Sequence, residues 1–433
     1  MDTLRYRFET VDITPVESVI LAGYSNRTGM SGPVHRPLSS RCLALRSGET
    51  TVCLVVNDFM NADRELIDRL REEISSRTGC AQSHILISSI HTHSSPLLER
   101  GFHRANDRYI EYAGERIVRN AVSVLGDDGA FRPGRLRTGS AVSPISAKRK
   151  LVTAGDGSII RIPDLDAPCD HEVQILEIAD ERSNPAVTLC NYACHPVTLG
   201  FNSVAVSPDY PGRMRELVES VRGGAVIFLT GVSGDINPLE TDHTDTAVTD
   251  REGEKLGRAV LSAKMREYEG PVALRLATGE IRLPFRDTGI TREHVDAEVL
   301  RKSIEVTEFR DWKEHLKGWR AEMHSRIEAG ETSDSFTVGV AALRIGPAVL
   351  FFVQGELFVQ YQLDLKRRFP GVRLLCVGYT YGEGGYIPTA DEFPKKGYET
   401  DQAYIYMHLP SPYSPVVEEI FRAGAERLIA SVL

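Results

Sequence analysis

The apolar run Ile85-Leu-Ile-Ser-Ser-Ile90 stops at His91-Thr92-His93-Ser94-Ser95-Pro96. A bounded apolar run of that length reads as a strand. Two histidines one residue apart at its end put imidazoles where the sites of α/β proteins gather. In an extended chain both rings would point the same way. The pattern recurs. Residues 186–194 form a second apolar run, ending in Asn191-Tyr-Ala-Cys-His195-Pro196. Ala348 to Val353 is followed by Gln354-Gly355-Glu356, and Val372 to Val377 leads into a glycine- and tyrosine-rich stretch containing Tyr386. Four strand ends thus carry groups able to bind a divalent cation, and imidazole with carboxylate suits zinc.

Helical patterns lie between the apolar runs. Residues 61–78 place Leu66, Ile67, Leu70 and Ile74 on one face. Further helices fit 105–125, the stretch after Asp209 to about Val221, 247–268, the stretch after Glu356 to about Arg368, and 412–433. Strand pairs fit 41–45 with 51–56 across Ser47-Gly48-Glu49, 172–179 with 186–194, and 336–345 with 348–353 across Gly346-Pro347; single strands fit 225–229 and 270–285. Strands alternating with helices specify an α/β chain, mixed β-sheets flanked by helices. Residues 126–170, including the basic cluster Lys148-Arg149-Lys150 and the Gly155-Asp156-Gly157 turn, read as loops. Residues 291–328 read as a helical insertion within one domain spanning 1–433. Its stripe of Leu300, Ile304, Phe309, Trp312, Leu316 and Trp319 reads as a packing face, with a lid as the sharper alternative. No internal repeat is visible.

Composition narrows the partners. A net charge of -9 gives no basic face for nucleic acid. No apolar run is long enough for a transmembrane segment. The first residues lack the apolar core of a secretion signal, and the seven cysteines have no metal spacing. A reduced, cytoplasmic protein is the expectation. A homo-oligomer is left open.

The motifs Asp12-Ile-Thr-Pro15, His91-Thr-His-Ser-Ser-Pro96, Asn191-Tyr-Ala-Cys-His-Pro196, Ser207-Pro-Asp-Tyr-Pro-Gly212, Gly234-Asp-Ile-Asn-Pro238, Gly355-Glu356 and Gly384-Gly-Tyr-Ile-Pro-Thr389 follow one another in that order. In content and order they resemble the neutral/alkaline ceramidase family, zinc amidohydrolases that cleave an N-acyl bond. The resemblance runs from Asp12 to about Tyr398, the extent of that family's N-terminal catalytic domain. It implies one Zn2+ per chain, held by His91, His195, Glu356 and Tyr386. It implies that His93 lies beside the metal, that Tyr398 contacts the substrate carbonyl, and that Arg149 matches a family arginine. Asp58, Asp209 and Asp235 fall in family motifs and are expected to fix turns or to orient the imidazoles.

One departure matters. Asn237 stands where the family has a serine near the scissile amide, which removes a serine nucleophile and leaves metal-activated water. The expected activity is hydrolysis of an amide in a small or lipid-like N-acyl substrate. His93 and Tyr398 would stabilise the oxyanion, and Arg149 would hold a polar or carboxylate group of the substrate. A metal-dependent esterase, lactonase or sugar N-deacetylase on the same site, and a non-catalytic metal-binding protein, are the alternatives.

Overall fold

The structure is a computed structural model that describes residues 3–98, 106–126, 128–153, 159–305 and 312–433. Three sheets carry it. The first runs in the order Ile85–Ser89, Thr50–Asn57, Ser39–Ser47, Arg5–Asp12, Arg132–Pro133. The second runs Ala225–Thr230, Pro185–Tyr192, Glu172–Ala179, Arg135–Val142, Arg266–Glu267. The third runs Leu274–Pro284, Ser335–Ile345, Ala348–Val353, Arg373–Val377.

One unit is built three times. An antiparallel hairpin is followed by a helix and then by a strand parallel to the hairpin's second arm. In the first sheet this is Ser39–Ser47, Thr50–Asn57, helix Arg64–Thr78, strand Ile85–Ser89. In the second it is Glu172–Ala179, Pro185–Tyr192, helix Tyr210–Arg222, strand Ala225–Thr230. In the third it is Ser335–Ile345, Ala348–Val353, helix Val359–Arg368, strand Arg373–Val377. A parallel pair needs a crossover long enough to return the chain, and a helix supplies it. The repeat lies in architecture rather than in residue identity, which is why the sequence does not display it.

Strand alternation explains the packing. In the first sheet Cys42, Ala44, Cys53, Val55, Ile85 and Ile87 face helices Arg64–Thr78 and Asp107–Gly126. Their neighbours Leu43, Leu45, Val52, Leu54, Val56 and Leu86 point the other way, into a core shared with the second and third sheets. The third sheet repeats the division. Leu343, Leu350 and Phe352 join the shared core, whereas Val349, Phe351 and Val353 pack under helices Val359–Arg368 and Val417–Val432.

The carboxyl ends of the three parallel pairs are stitched together. Asn191 Nδ2 donates to Leu229 O at 2.9 Å and to Cys376 O at 2.8 Å. Thr230 Oγ1 donates to Ile90 O at 2.6 Å, Gly378 N to Thr230 O at 3.0 Å, and Ser89 N to Tyr379 O at 3.0 Å. Each unit therefore delivers its strand ends to one place.

Several sequence expectations need correction. Residues 126–170 are not loop-rich. They hold Arg135–Val142 and the antiparallel strands Ser146–Thr153 and Ile159–Asp164. The turn at residues 155–157 lies outside the described residues. Arg5–Asp12 is a further strand that its alternation with charged residues concealed. The helix read over 247–268 ends at Ser262. Residues 291–328 contain helices Arg292–Glu305 and Trp312–Ala329, between the paired strands Leu274–Pro284 and Ser335–Ile345. Both tryptophans are packing groups: Trp312 Nε1 donates to Lys302 O and Trp319 Nε1 to Leu409 O. Leu300 and Ile304 do not continue that face; they are 65% and 69% exposed. Phe309 lies outside the described residues.

Candidate metal centre

The chain leaves strand Ile85–Ser89 and turns sharply at His91, whose φ is +68°. The two histidines converge through this left-handed kink and not through the period of an extended strand. A left-handed non-glycine residue is strained, and such residues cluster at functional sites. Tyr379 shares the trait at φ +55° and stacks on the His91 ring, centroids 3.9 Å apart. Nothing in the sequence marked Tyr379 beyond its place at a strand end. Its hydroxyl meets Ser233 Oγ at 3.0 Å.

Three imidazoles meet here. The ligand atoms of His91, His93 and His195 lie within 4.8 Å of one another. Glu356 Oε2 is 3.1 Å from His195 Nε2 and 3.3 Å from His91 Nε2. The outer ring nitrogens are fixed by backbone. His91 Nδ1 donates to Met60 O at 2.9 Å, and His195 Nδ1 to Ser233 O at 2.6 Å. A neutral imidazole that donates from Nδ1 carries its lone pair on Nε2. Burial pushes the His195 pKa down to about 4, so its ring is neutral near pH 7. Burial works to raise the Glu356 pKa, yet its net shift is downward and the carboxyl stays ionised. A carboxylate and an imidazole lone pair facing each other at about 3 Å repel unless a cation stands between them. The donor set therefore fits a divalent ion, and two imidazoles plus a carboxylate suit zinc.

Backbone carbonyls, not carboxylates, orient the imidazoles. Asp58 instead grips Arg215 and Ser39. Asp209 bonds Thr198, Leu199 and Tyr210, and Asp235 bonds Val359 N and pairs with Lys148. Their expected turn-fixing role stands; an orienting bond to a histidine does not. Carbonyls carry no side-chain signature, so Met60 and Ser233 could not be singled out beforehand.

Tyr386 reaches the site through the short parallel pair Glu356–Leu357 and Tyr386–Ile387. Gly355, at φ +91°, permits this pairing: a Cβ there would lie 2.9 Å from Gly385 O. The Tyr398 ring stands 5.8 Å from that of Tyr386. Arg149 lies on strand Ser146–Thr153, which pairs with Ile236–Pro238. Its guanidinium packs over Tyr386, centroid 5.4 Å away. It is already engaged: Nε donates to Glu399 at 2.7 Å, and the other nitrogens to Asn237 Oδ1 and Gly234 O. Lys148 likewise turns inward, to Glu392. The basic cluster thus lies on a strand and not in a loop, with Lys148 and Arg149 turned inward and Lys150 exposed.

His91, His93, Arg149, His195, Glu356, Tyr386 and Tyr398 all line one cavity of about 790 Å3. Apolar side chains (Ile20, Met30, Met60, Leu97, Val197 and Phe201) form much of its wall, and Glu314 and His315 of the helical excursion border it. The volume suits a ligand of drug-like size.

The fold is ceramidase-like. A neutral ceramidase from Pseudomonas aeruginosa matches over 100% of this chain and 74% of its own, with a TM-score of 0.69 and 16% identity. A ceramidase complexed with C2 matches over 100% and 75%, with the same score and identity. No family model matches the sequence, and no curated protein does. At this identity the likeness establishes the architecture alone.

Proposed function

We propose that the protein is a zinc-dependent hydrolase that cleaves the amide bond of an N-acyl substrate with water. The observation that carries this reading is the meeting of three imidazoles and an ionised glutamate in a partly apolar cavity. The ceramidase-like fold and the motif order support it. His91, His195, Glu356 and Tyr386 would hold the ion. Once bound, a divalent ion lowers the pKa of a water toward about 7 and polarises a carbonyl.

The chain's own groups supply the rest. His93 is neutral, its pKa held well below the usual range by burial and by His91. Its Nδ1 has no hydrogen-bond partner among the described residues. The ring is free to take a proton from the attacking water and deliver it to the leaving nitrogen. The Tyr398 hydroxyl donates to the oxyanion as charge develops. Arg149, fixed by Glu399 and Asn237, supports Tyr386 from behind and orients that wall of the cavity. The seven cysteines are free thiols, which fits action in a reducing cytoplasm.

Elemental mass spectrometry on purified protein tests the first step and should find one zinc per chain. A panel of N-acyl amides, esters, lactones and N-acetyl sugars, of which the amides should be turned over fastest, tests the second. Absence of metal after reconstitution, or turnover of esters alone, would sink the proposal. Tyr398→Phe should lower kcat by about a hundredfold with little change in metal content, as loss of one oxyanion donor does.

Gly23 sets the position of His93. Its φ is +97°, and a Cβ there would fall 2.3 Å from His93 Cγ. Gly23→Ala should displace the His93 ring and destabilise the chain by about 1–3 kcal/mol, the usual cost of such backbone strain. A melting curve beside a kcat measurement checks both effects; unchanged values would show that the ring moves aside freely.

A further inference from the structure

The cavity contains a cation that no carboxylate among the described residues neutralises. Arg27 lies in the loop that follows Gly23 and lines the cavity with Tyr24. Its guanidinium stands 5.0 Å from the centre of the Tyr24 ring, which in turn meets His93 edge-on at 5.1 Å. Two backbone carbonyls anchor it: Nη1 donates to Ala22 O at 2.6 Å and Nη2 to Gly200 O at 3.4 Å. Nε is buried and makes no hydrogen bond. Among the described residues no carboxylate forms an ion pair with Arg27. The nearby Asp242 bonds Tyr24 instead. Desolvation is severe enough to push the Arg27 pKa down to about 10.

Contrast Arg149 on the Glu356 flank. Its Nε is bound to Glu399, so its charge is already balanced. Other arginines of the interior also have acids: Arg215 has Asp58, and Arg41 has Glu219. A buried, unpaired charge is costly and needs a compensating partner. A guanidinium presents five donors, and carbonyls occupy only two here.

We propose that Arg27 is a specificity-determining residue that binds a carboxylate of the substrate on the His93 side of the scissile bond. The favoured substrates are then acidic amides, such as N-acyl amino acids, rather than neutral N-acyl amino alcohols. One guanidinium matches one carboxylate in size and charge. The proposal deepens the hydrolase reading and rests on it for the role of the cavity. It moves the carboxylate contact expected of Arg149 to the residue whose charge is free.

The test compares N-octanoylglycine with N-octanoylethanolamine, which share a chain and an amide and differ in the carboxylate. Calorimetric binding to metal-free protein and KM of the zinc-loaded protein are both read, for wild type, Arg27→Lys and Arg27→Gln. Wild type should prefer the glycine conjugate by on the order of tenfold to a hundredfold, as a charge-assisted hydrogen bond allows. Arg27→Lys should keep part of that preference and Arg27→Gln should lose it. Equal binding of the two probes by wild type overturns the proposal without any variant, as does a preference that survives in folded Arg27→Gln. A binding preference that depends on Arg27, with neither probe hydrolysed, would uphold the carboxylate site and overturn the hydrolase reading instead.

Discussion

His195→Ala should leave a folded protein that no longer retains zinc and hydrolyses amides at least about a thousandfold more slowly. The size follows from the several kcal/mol that a bound ion contributes to charge stabilisation, at about 1.4 kcal/mol per decade of rate. His195 is anchored through Nδ1 by the Ser233 carbonyl, with Nε2 turned to Glu356. Alanine would remove a proposed ligand without unpicking the strand, because the His195 backbone N–H still donates to Ile236 O at 3.0 Å. Metal analysis and circular dichroism of the same sample separate loss of metal from loss of fold. Retained zinc with full turnover would mean that the imidazoles are structural.

The second large effect is on stability. Arg215 grips Asp58 with both terminal nitrogens, at 2.6 and 2.8 Å, and both side chains are buried. Asp58 also accepts from Ser39 N and Oγ. This fork joins the strand end of the first unit to the helix of the second. Asp58→Asn should cost about 3–5 kcal/mol in urea unfolding, since it strands a buried guanidinium. Asp58→Leu combined with Arg215→Met should recover much of that loss, because an apolar pair of similar volume carries no unpaired charge. A single substitution costing under 1 kcal/mol would show that water reaches the pair. The effect should also reach the site: Phe59 O accepts from His91 N at 2.8 Å, and Met60 O fixes its ring.

How far the sequence could be read differs by element. Strands buried on both faces, such as Ala348–Val353, are near-continuous apolar runs and stand out. Helix Arg64–Thr78 declares itself by Leu66, Ile67, Leu70 and Ile74. Strand Ser146–Thr153 does not, because Lys148 and Arg149 look like solvent-facing charges. Their partners Glu392 and Glu399 are some 250 residues away in the chain, at |i−j| of 244 and 250, and only folding brings them close. Five of the seven site residues, His91, His93, His195, Glu356 and Tyr386, sit in legible motifs, and all seven line one cavity. Tyr379, Gly23 and Arg27 escaped notice, since stacking, close approach and an unbalanced charge are properties of space rather than of spacing.

The distribution of the site over three repeated units has a consequence for the unfolded chain. His195 and Glu356 are separated by 161 residues, and His91 belongs to yet another unit. The proposed ion, held by all three, would close two long loops at once, much as a covalent cross-link would. Bringing such distant segments together costs an unfolded chain configurational entropy that grows with loop length. The metal-free chain recovers that freedom only by unfolding. With the proposed ion bound, metal affinity and global stability would be one linked quantity, and a chelator would act on the folding equilibrium of the whole chain.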